Sequence, residues 1–335
     1  MITTDICIVG AGPVGLFAVF EAGLLGMRCH LIDVLTQPGG QLAEIYPKKP
    51  IYDIPGYPVV LAGELIQRQL EQIAPFKPTW SLGEKATDLQ KNPSGDFLIT
   101  TSGGNQIQAK ILVIASGLGV FEPRKPPISS LDDFENKGVD YFVKNPDAYK
   151  GKKLVLAGGG DSALDWTIFL ADIAAELTLV HRSSRFRAAP DSVEKVMALS
   201  QSGKVRLMLD ANVTEVHGNG RLNKVVVSNK DGWPTHLDTD YFIPLFGLRP
   251  ELGPLAQWGL NMDGEAIKVD NTLDYQTNIP GVYAIGDINT YPGKLKLILC
   301  GYHEAALMAQ SAWKRLHPNS MFNMKYTTVN GINGF

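Results

Sequence analysis

The sequence predicts an α/β fold with two parallel-sheet units, and three observations predict it. Near the N-terminus an apolar run meets a cluster of glycines, and the apolar residues beyond them switch to helical spacing. The same strand–glycine–helix pattern returns at residue 153. A late apolar run, Gly281-Val282-Tyr283-Ala284-Ile285, closes in Gly286-Asp287, so the chain returns to a sheet after the repeat.

The first unit opens with Ile6 to Val9, read as a buried parallel strand, followed by Gly-x-Gly-x-x-Gly at Gly10, Gly12 and Gly15. The first glycine permits a tight turn, the second lets the backbone approach a pyrophosphate, and the third lets helix and strand pack closely. The helix N-terminus then offers free N–H groups and a positive dipole end to phosphates. A second strand, Cys29 to Ile32, ends at Asp33, 18 residues after Gly15 (33 − 15). An acid at that offset accepts hydrogen bonds from an adenosine ribose. Strand, turn, helix, strand and acid together predict a dinucleotide site.

Beyond Asp33 comes a turn, Gln37-Pro38-Gly39-Gly40-Gln41, then two tyrosines among prolines, Tyr46 and Tyr52. Those rings suit either packing or a platform for a flat ligand. A helix is expected over Gly63 to Phe76. A short antiparallel section follows at Ala86 to Leu89, Phe97 to Thr101 and Gln106 to Lys110, and Ile111 to Ala115 reads as a separate buried strand ending in Ser116-Gly117. The Pro-rich run Glu122 to Pro127 is the expected crossing between domains.

In the repeat, Lys153 to Ala157 is the strand, Gly158, Gly160 and Ala163 occupy the glycine pattern, and Leu164 to Ala171 is helical. The second strand, Leu177 to Val180, ends at His181, again at an offset of 18 (181 − 163). Here the acid is replaced by His181-Arg182, with Arg185 and Arg187 after it. A carboxylate would repel a 2′-phosphate, whereas arginines bind one by charge-assisted hydrogen bonds. The first unit should therefore hold an unphosphorylated ribose and the second an NADP ribose. A helix over Val193 to Leu199, a small antiparallel section at Val213 to Val216, Val225 to Ser228 and Leu237, and a return crossing at Ile243 to Pro250 complete the unit. A helix over Tyr302 to Leu316 precedes a loose tail from His317 to Phe335.

Bulk properties narrow the function further. The 335 residues suffice for two cored domains, and a net charge of −3 gives no general attraction to nucleic acid or to anionic membranes. No apolar run reaches a membrane span, and Met1 to Asp5 lead directly into the first strand without room for a signal peptide, so a cytoplasmic location is expected. Three cysteines, Cys7, Cys29 and Cys300, form no Cys-x-x-Cys pair, which excludes a local redox dithiol, and no metal site is expected.

Two dinucleotide units with a late Gly-Asp resemble the two-dinucleotide-binding flavoprotein reductases, and insertion of the second unit into the first resembles thioredoxin reductase. The resemblance implies two Rossmann-like domains: a discontinuous FAD domain over 1–122 and 246–335, and an NADP(H) domain over 123–245. Thioredoxin reductase carries a Cys-x-x-Cys shortly before its second glycine motif, but Tyr141 to Tyr149 here contain no sulfur. Electrons on the flavin must then leave to an outside acceptor. Pro38 to Gln41, Tyr46 to Gly56, Gly158 to Trp166, Gly286 to Lys296 and Tyr326-Thr327-Thr328 are similar, over nearly the whole chain, to the thioredoxin-reductase-type ferredoxin–NADP⁺ reductases of bacteria.

That resemblance implies FAD contacts from Gly10, Gly12, Pro13, Gly15, Asp33, Gln41, Tyr46, Tyr52, Ala86, Gly117, Phe121, Asp287 and Thr328. Ala86 would contribute only backbone. It implies NADP(H) contacts from Gly158, Gly160, Asp161, Ser162, Ala163, His181, Arg182 and Arg187. Tyr52 would stack on the isoalloxazine, Tyr326 of a second subunit would cover the opposite face, and Thr327 and Thr328 would lie near flavin N5. The implied reaction passes a hydride between nicotinamide and flavin and single electrons to or from ferredoxin or flavodoxin, in a homodimer, with no side chain acting as acid or base. Lys48, Lys49, Arg124, Lys125, Lys294 and Lys296 form either a docking patch for an acidic ferredoxin or merely scattered solvated cations. The alternatives are an NADPH-dependent flavin, quinone or small-disulfide reductase without a dithiol, and a flavin redox sensor without turnover.

Overall fold

The computed structural model describes residues 1–117, 119, 122–249, 252–321 and 331–332. The chain divides into two compact units, one from Met1–Phe121 with Pro250–Phe335 and one from Glu122–Arg249. Glu122–Pro123 pairs with Leu248–Arg249, which keeps Glu122 and residues 246–249 with the inserted unit.

The first unit begins with β1 (Ile2–Val9), α1 (Pro13–Leu24), β2 (Cys29–Asp33) and the short helix α2 (Gly40–Glu44). A two-stranded clip, β3 (Pro50–Ile51) and β4 (Val60–Leu61), leads into α3 (Ala62–Ile73), whose last turn tightens to a 3-10 helix over Ala74–Phe76 at Pro75. Then come β5 (Thr79–Leu82), β6 (Ala86–Lys91), β7 (Phe97–Thr101) and β8 (Gln106–Ile114). The sheet order is β5-β2-β1-β8-β7-β6, with β1 parallel to β2 and β8. The two strands expected between Gln106 and Ala115 are one. Its first half pairs antiparallel with β7, while its whole length runs parallel to β1.

Alternate residues along these strands face opposite cores. Ile6, Ile8, Leu31, Ile111 and Val113 pack with α1 and α3, whereas Cys7, Val9, Ile32, Leu112 and Ile114 pack on the other face. Both faces are covered, which explains why these strands read as unbroken apolar runs. Cys29 belongs to the first cluster and Cys7 to the second, so the two thiols lie on opposite sides of the sheet. Burial pushes both thiols up, Cys29 to about 12, and leaves them protonated core groups.

The inserted unit runs from β9 (Glu122–Pro123) to β10 (Lys153–Ala157), α4 (Asp161–Leu170), β11 (Glu176–His181), α5 (Pro190–Gln201) and β12 (Arg206–Leu209). The hairpin strands β13 (Ala211–Gly218), β14 (Leu222–Asn229) and β15 (Pro234–Asp238) form an antiparallel sheet, and β16 (Tyr241–Pro244) and β17 (Leu248–Arg249) follow. Ile243-Pro244 is thus no crossing segment but the end of β16, a strand parallel to β10 in a sheet ordered β12-β11-β10-β16. Pro244 is tolerated because it is the last residue of that strand, where the chain leaves the ladder.

Back in the first unit, β18 (Met262–Asp263), β19 (Ala266–Lys268), β20 (Val282–Ala284) and β21 (Asn289–Thr290) precede α6 (Ile298–Leu316). β20 adds to β8 in parallel, so the late apolar run re-enters the first sheet at its centre. Helix α6 begins at Ile298, earlier than the apolar spacing suggests, and buries Gly301, Glu304, Ala305, Met308 and Ala309. No described helix is long and apolar enough to cross a membrane.

Candidate functional site

The glycine loop of the first unit is built by close approach. Gly10 has φ +110°, and a Cβ there would lie 2.4 Å from the Ala115 carbonyl oxygen. A Cβ on Gly15 would lie 2.1 Å from the Gly10 carbonyl oxygen. Both contacts bring the start of α1 tight against β1 and β8, which is the purpose the spacing suggested. Gly12 differs: a Cβ there meets nothing within 4 Å. It caps α1 at φ −72°, with Pro13 following, so free N–H groups at the helix start face open space.

Several expected residues converge on this loop. Asp33 Oδ2 accepts from the Ala11 N–H at 2.6 Å and Oδ1 from the Leu35 N–H at 2.9 Å. Burial pushes its carboxyl above the usual range, and those N–H groups pull against it. The Gly39 N–H donates to the Ala11 carbonyl at 2.8 Å, and a Cβ on Gly40 would sit 3.0 Å from Gly12 Cα. Gln41 is the second residue of α2, and its Oε1 accepts from the Tyr46 hydroxyl at 3.3 Å. Burial, with the Asp287 charge second, pushes the Tyr46 phenol to about 12. Asp287 follows Gly286 in a short 3-10 turn after β20, and burial pushes its carboxyl up against the pull of Lys294 and Lys296. Ser116 Oγ is buried and has no hydrogen-bond partner among the described residues.

Other expected residues stand apart. Ala86 is buried in the same cluster as Cys7 and Val9, so only its main chain is available. Tyr52 is 70% exposed, which removes the packing role and leaves a free ring beside an open depression of about 530 Å³ formed by Tyr52 to Pro58. Phe121, Tyr326, Thr327 and Thr328 lie outside the described residues. Lys294 does not belong to any surface patch: its side chain is 7% exposed and pairs with Glu304, itself fully buried. Lys125 is held by Asp132 and Glu135 over the Tyr141 ring.

The second glycine loop repeats the design. Cβ atoms on Gly158 would clash with Ala163 and with the Leu245 carbonyl at 2.7 Å, whereas Gly160 has nothing within 4 Å. Asp161 Oδ1 accepts from the Ala189 N–H at 2.8 Å, and Ser162 is exposed on the first turn of α4. His181 was expected to face a ligand, yet its ring is 6% exposed, stacked on Phe186 at 4.9 Å and bonded through Nε2 to the Arg185 carbonyl at 3.0 Å. It underlies Gly159, where a Cβ would lie 1.9 Å from the ring. Its contribution is therefore to shape the loop. The Arg187 N–H donates to the Gly159 carbonyl at 2.7 Å, tying the basic turn to the glycines. Arg182, Arg185 and Arg187 are exposed, and among the described residues none is in an ion pair.

Two open glycine positions, each at a helix start and each backed by a clashing one, fit two pyrophosphates, and the Ser116 hydroxyl, without a partner among the described residues, fits a polar ligand in the first. The model for pyridine nucleotide-disulphide oxidoreductases matches residues 4–309. The chain belongs to that family. Within it, the chain is 61% identical to Ferredoxin–NADP reductase 1 of Christiangramia forsetii, over 100% of this chain and 96% of that protein. It is 56% identical to the ferredoxin–NADP reductase of Flavobacterium johnsoniae, over 100% and 95%. It is thus an oxidoreductase of that family. Lactococcus lactis thioredoxin reductase shares the fold at TM-score 0.79 and 24% identity, over 93% of this chain and 98% of that one. T. acidophilum thioredoxin reductase gives a TM-score of 0.81 at 23% identity, over 94% and 99%.

Sequence reasoning missed Glu304 and Gln69 and placed Lys294 on the surface. Gln69 Nε2 donates to the Pro13 carbonyl at 2.9 Å, bracing the first glycine loop from α3. Its burial in the face made by Leu65, Ile66 and Ile73 was readable from helical spacing, since it interrupts an apolar stripe.

Proposed function

We propose that the protein is a ferredoxin–NADP⁺ reductase: the first unit holds FAD, the inserted unit holds NADP(H), and electrons pass between NADPH and ferredoxin or flavodoxin. The observation carrying this reading is the difference between two otherwise matching loops. One ends at a carboxylate anchored to its own glycine turn, the other at three exposed arginines without ion pairs among the described residues. The names of the relatives supply the acceptor. Gly10, Gly12, Pro13, Gly15, Asp33, Gln41, Tyr46, Gly117 and Asp287 would hold FAD, and Tyr52 would offer its exposed ring to the isoalloxazine. Gly158, Gly160, Ser162, Arg182 and Arg187 would hold NADP(H), with Asp161, Ala163 and His181 shaping the turn.

FAD held there would supply hydride chemistry toward the nicotinamide and single-electron chemistry toward the acceptor. The residues named bind, orient and exclude water, and none is required as acid, base or nucleophile. The thiols support this division, since Cys7 and Cys29 are separated by the sheet and protonated. A cytoplasmic homodimer in which Tyr326, Thr327 and Thr328 of the tail complete the flavin environment belongs to the same proposal. NADPH-dependent cytochrome c reduction, with and without ferredoxin, tests it. Strong stimulation by ferredoxin is expected; equal rates with quinone or free flavin alone, or no turnover with any acceptor, would refute it.

A further inference from the structure

Glu304, in the second turn of α6, is a fully buried carboxylate outside both glycine loops. Its Oε2 accepts from the Gly286 N–H at 2.7 Å and from Asn289 Nδ2 at 2.9 Å. Its Oε1 accepts from the Tyr291 hydroxyl at 2.9 Å and from Lys294 Nζ. All these donors come from one stretch, 286–294, and they flank Asp287 on both sides. One turn earlier on the same helix, Gly301 approaches α1 so closely that a Cβ would lie 2.4 Å from the Val14 side chain. Val14 belongs to the first turn of α1, directly after the open glycine position. Helix α6 therefore grips the Asp287 segment through the Glu304 side chain and meets the start of α1 through the bare backbone of Gly301, packed on Val14.

We propose that Glu304 and Lys294 are positioning residues for FAD, a buried ion pair that fixes Asp287 in register with the Gly10–Gly15 loop. The proposal rests on the assignment of Asp287 to FAD. A carboxylate taken wholly out of water is costly unless cations and N–H groups satisfy it, and here they do so only with the segment in place. Lys294 has a second effect, because its charge favours the ionised form of Asp287. An ion pair serving only stability would need neither this exclusive set of donors nor the charge beside Asp287.

The test uses full-length holoenzyme and two readouts: release of FAD after dilution, followed by flavin fluorescence, and thermal unfolding at saturating FAD. Glu304→Gln and Lys294→Met should each release FAD at least about tenfold faster and lower the melting temperature, since each leaves a buried group unpaired. The double variant Glu304→Gln/Lys294→Met should recover the melting temperature while FAD release stays at least about tenfold fast. Recovery of both, or loss of neither, overturns the proposal. Tyr291→Phe keeps both charges and removes one hydrogen bond to the carboxylate, so it folds if the others do not; it should speed release by about three- to tenfold. Unchanged release in Tyr291→Phe would also overturn the proposal. Asp287→Ala separates the two layers of the reading. If it speeds release while the Glu304, Lys294 and Tyr291 variants do not, the positioning role fails alone; if it has no effect, the FAD assignment fails and the proposal with it.

Discussion

Replacing Gly12 by alanine should remove FAD without harming the fold. The Gly12 backbone, at φ −72°, suits any residue, and the added Cβ meets no protein atom within 4 Å. Alanine at such a position reduces the freedom of the unfolded chain and stabilises the protein by about 0.4–1 kcal/mol. The same methyl stands where a pyrophosphate would approach the N–H groups at the start of α1. Losing two charge-assisted hydrogen bonds there, each about 1.5–3 kcal/mol, weakens FAD by roughly 10²- to 10⁴-fold. Gly15→Ala is the opposite case. Its Cβ would sit 2.1 Å from the Gly10 carbonyl oxygen, so α1 must move away from β1, an overpacking cost of about 1–3 kcal/mol. Urea unfolding without added FAD measures the first quantity, and flavin released per chain after gel filtration measures the second. Gly12→Ala should unfold at the same or higher urea and carry little flavin; Gly15→Ala should unfold earlier. A Gly12→Ala protein that keeps a full complement of FAD, released within about threefold of the wild-type rate, would refute the placement of the pyrophosphate. Gly160→Ala is the counterpart in the inserted unit, and there NADPH affinity should fall while FAD stays bound.

Removing the guanidinium of Arg182 or Arg187 should lower kcat/KM for NADPH by about ten- to a hundredfold and leave NADH nearly unchanged; equal losses with both nucleotides would show that no 2′-phosphate is read there. His30, buried between the hydroxyls of Thr79 at 2.8 Å and Ser81 at 3.0 Å, is held below the ordinary imidazole range by burial, with Glu84 pulling it back. The unfolded chain therefore takes up this proton first, so stability is lost as pH falls below about 6.5, by up to about 1.4 kcal/mol per unit, and His30→Gln should flatten that slope in urea titrations. Replacing Cys7, Cys29 and Cys300 together by alanine should leave NADPH–ferricyanide turnover within about threefold in protein that folds, and abolished turnover with FAD still bound would show a thiol in the reaction.

The parts of this molecule legible in its sequence are those with local signatures. The glycine loops were readable because Gly10, Gly15 and Gly158 answer steric demands that no other residue meets, and the acid and the basic turn stand at fixed offsets from them. What failed to show was set by distant partners. Nothing near Gln106 to Ala115 says that one strand serves β7 with its first half and β20 with its second, since that follows from where β20 arrives. Ile243 and Pro244 looked like the start of a crossing because a proline in a short apolar run signals a turn, yet parallel pairing with β10 outweighed it. Lys294 reads as a solvated cation beside Lys296, and only the buried Glu304, brought in by α6, turns it inward. His181 reads as a ligand by its offset, which says nothing of the Phe186 ring stacked on it.

Strand β8 also sets a timing problem during synthesis. Its residues Leu112 to Ile114 are bordered on one side by β1, already made, and on the other by β20, which the ribosome delivers only after the whole inserted unit. Roughly 170 residues separate the two strands, about ten to thirty seconds of translation at common rates. For that interval the nascent chain carries an apolar strand edge with open backbone groups, the feature most prone to pairing with another chain. The inserted unit has its own sheets and core and can fold within this delay, shortening the separation between the waiting edge and its partner. Yield in the cell should therefore depend on elongation speed and on chaperones that shield that edge, more than the stability of the finished enzyme would suggest.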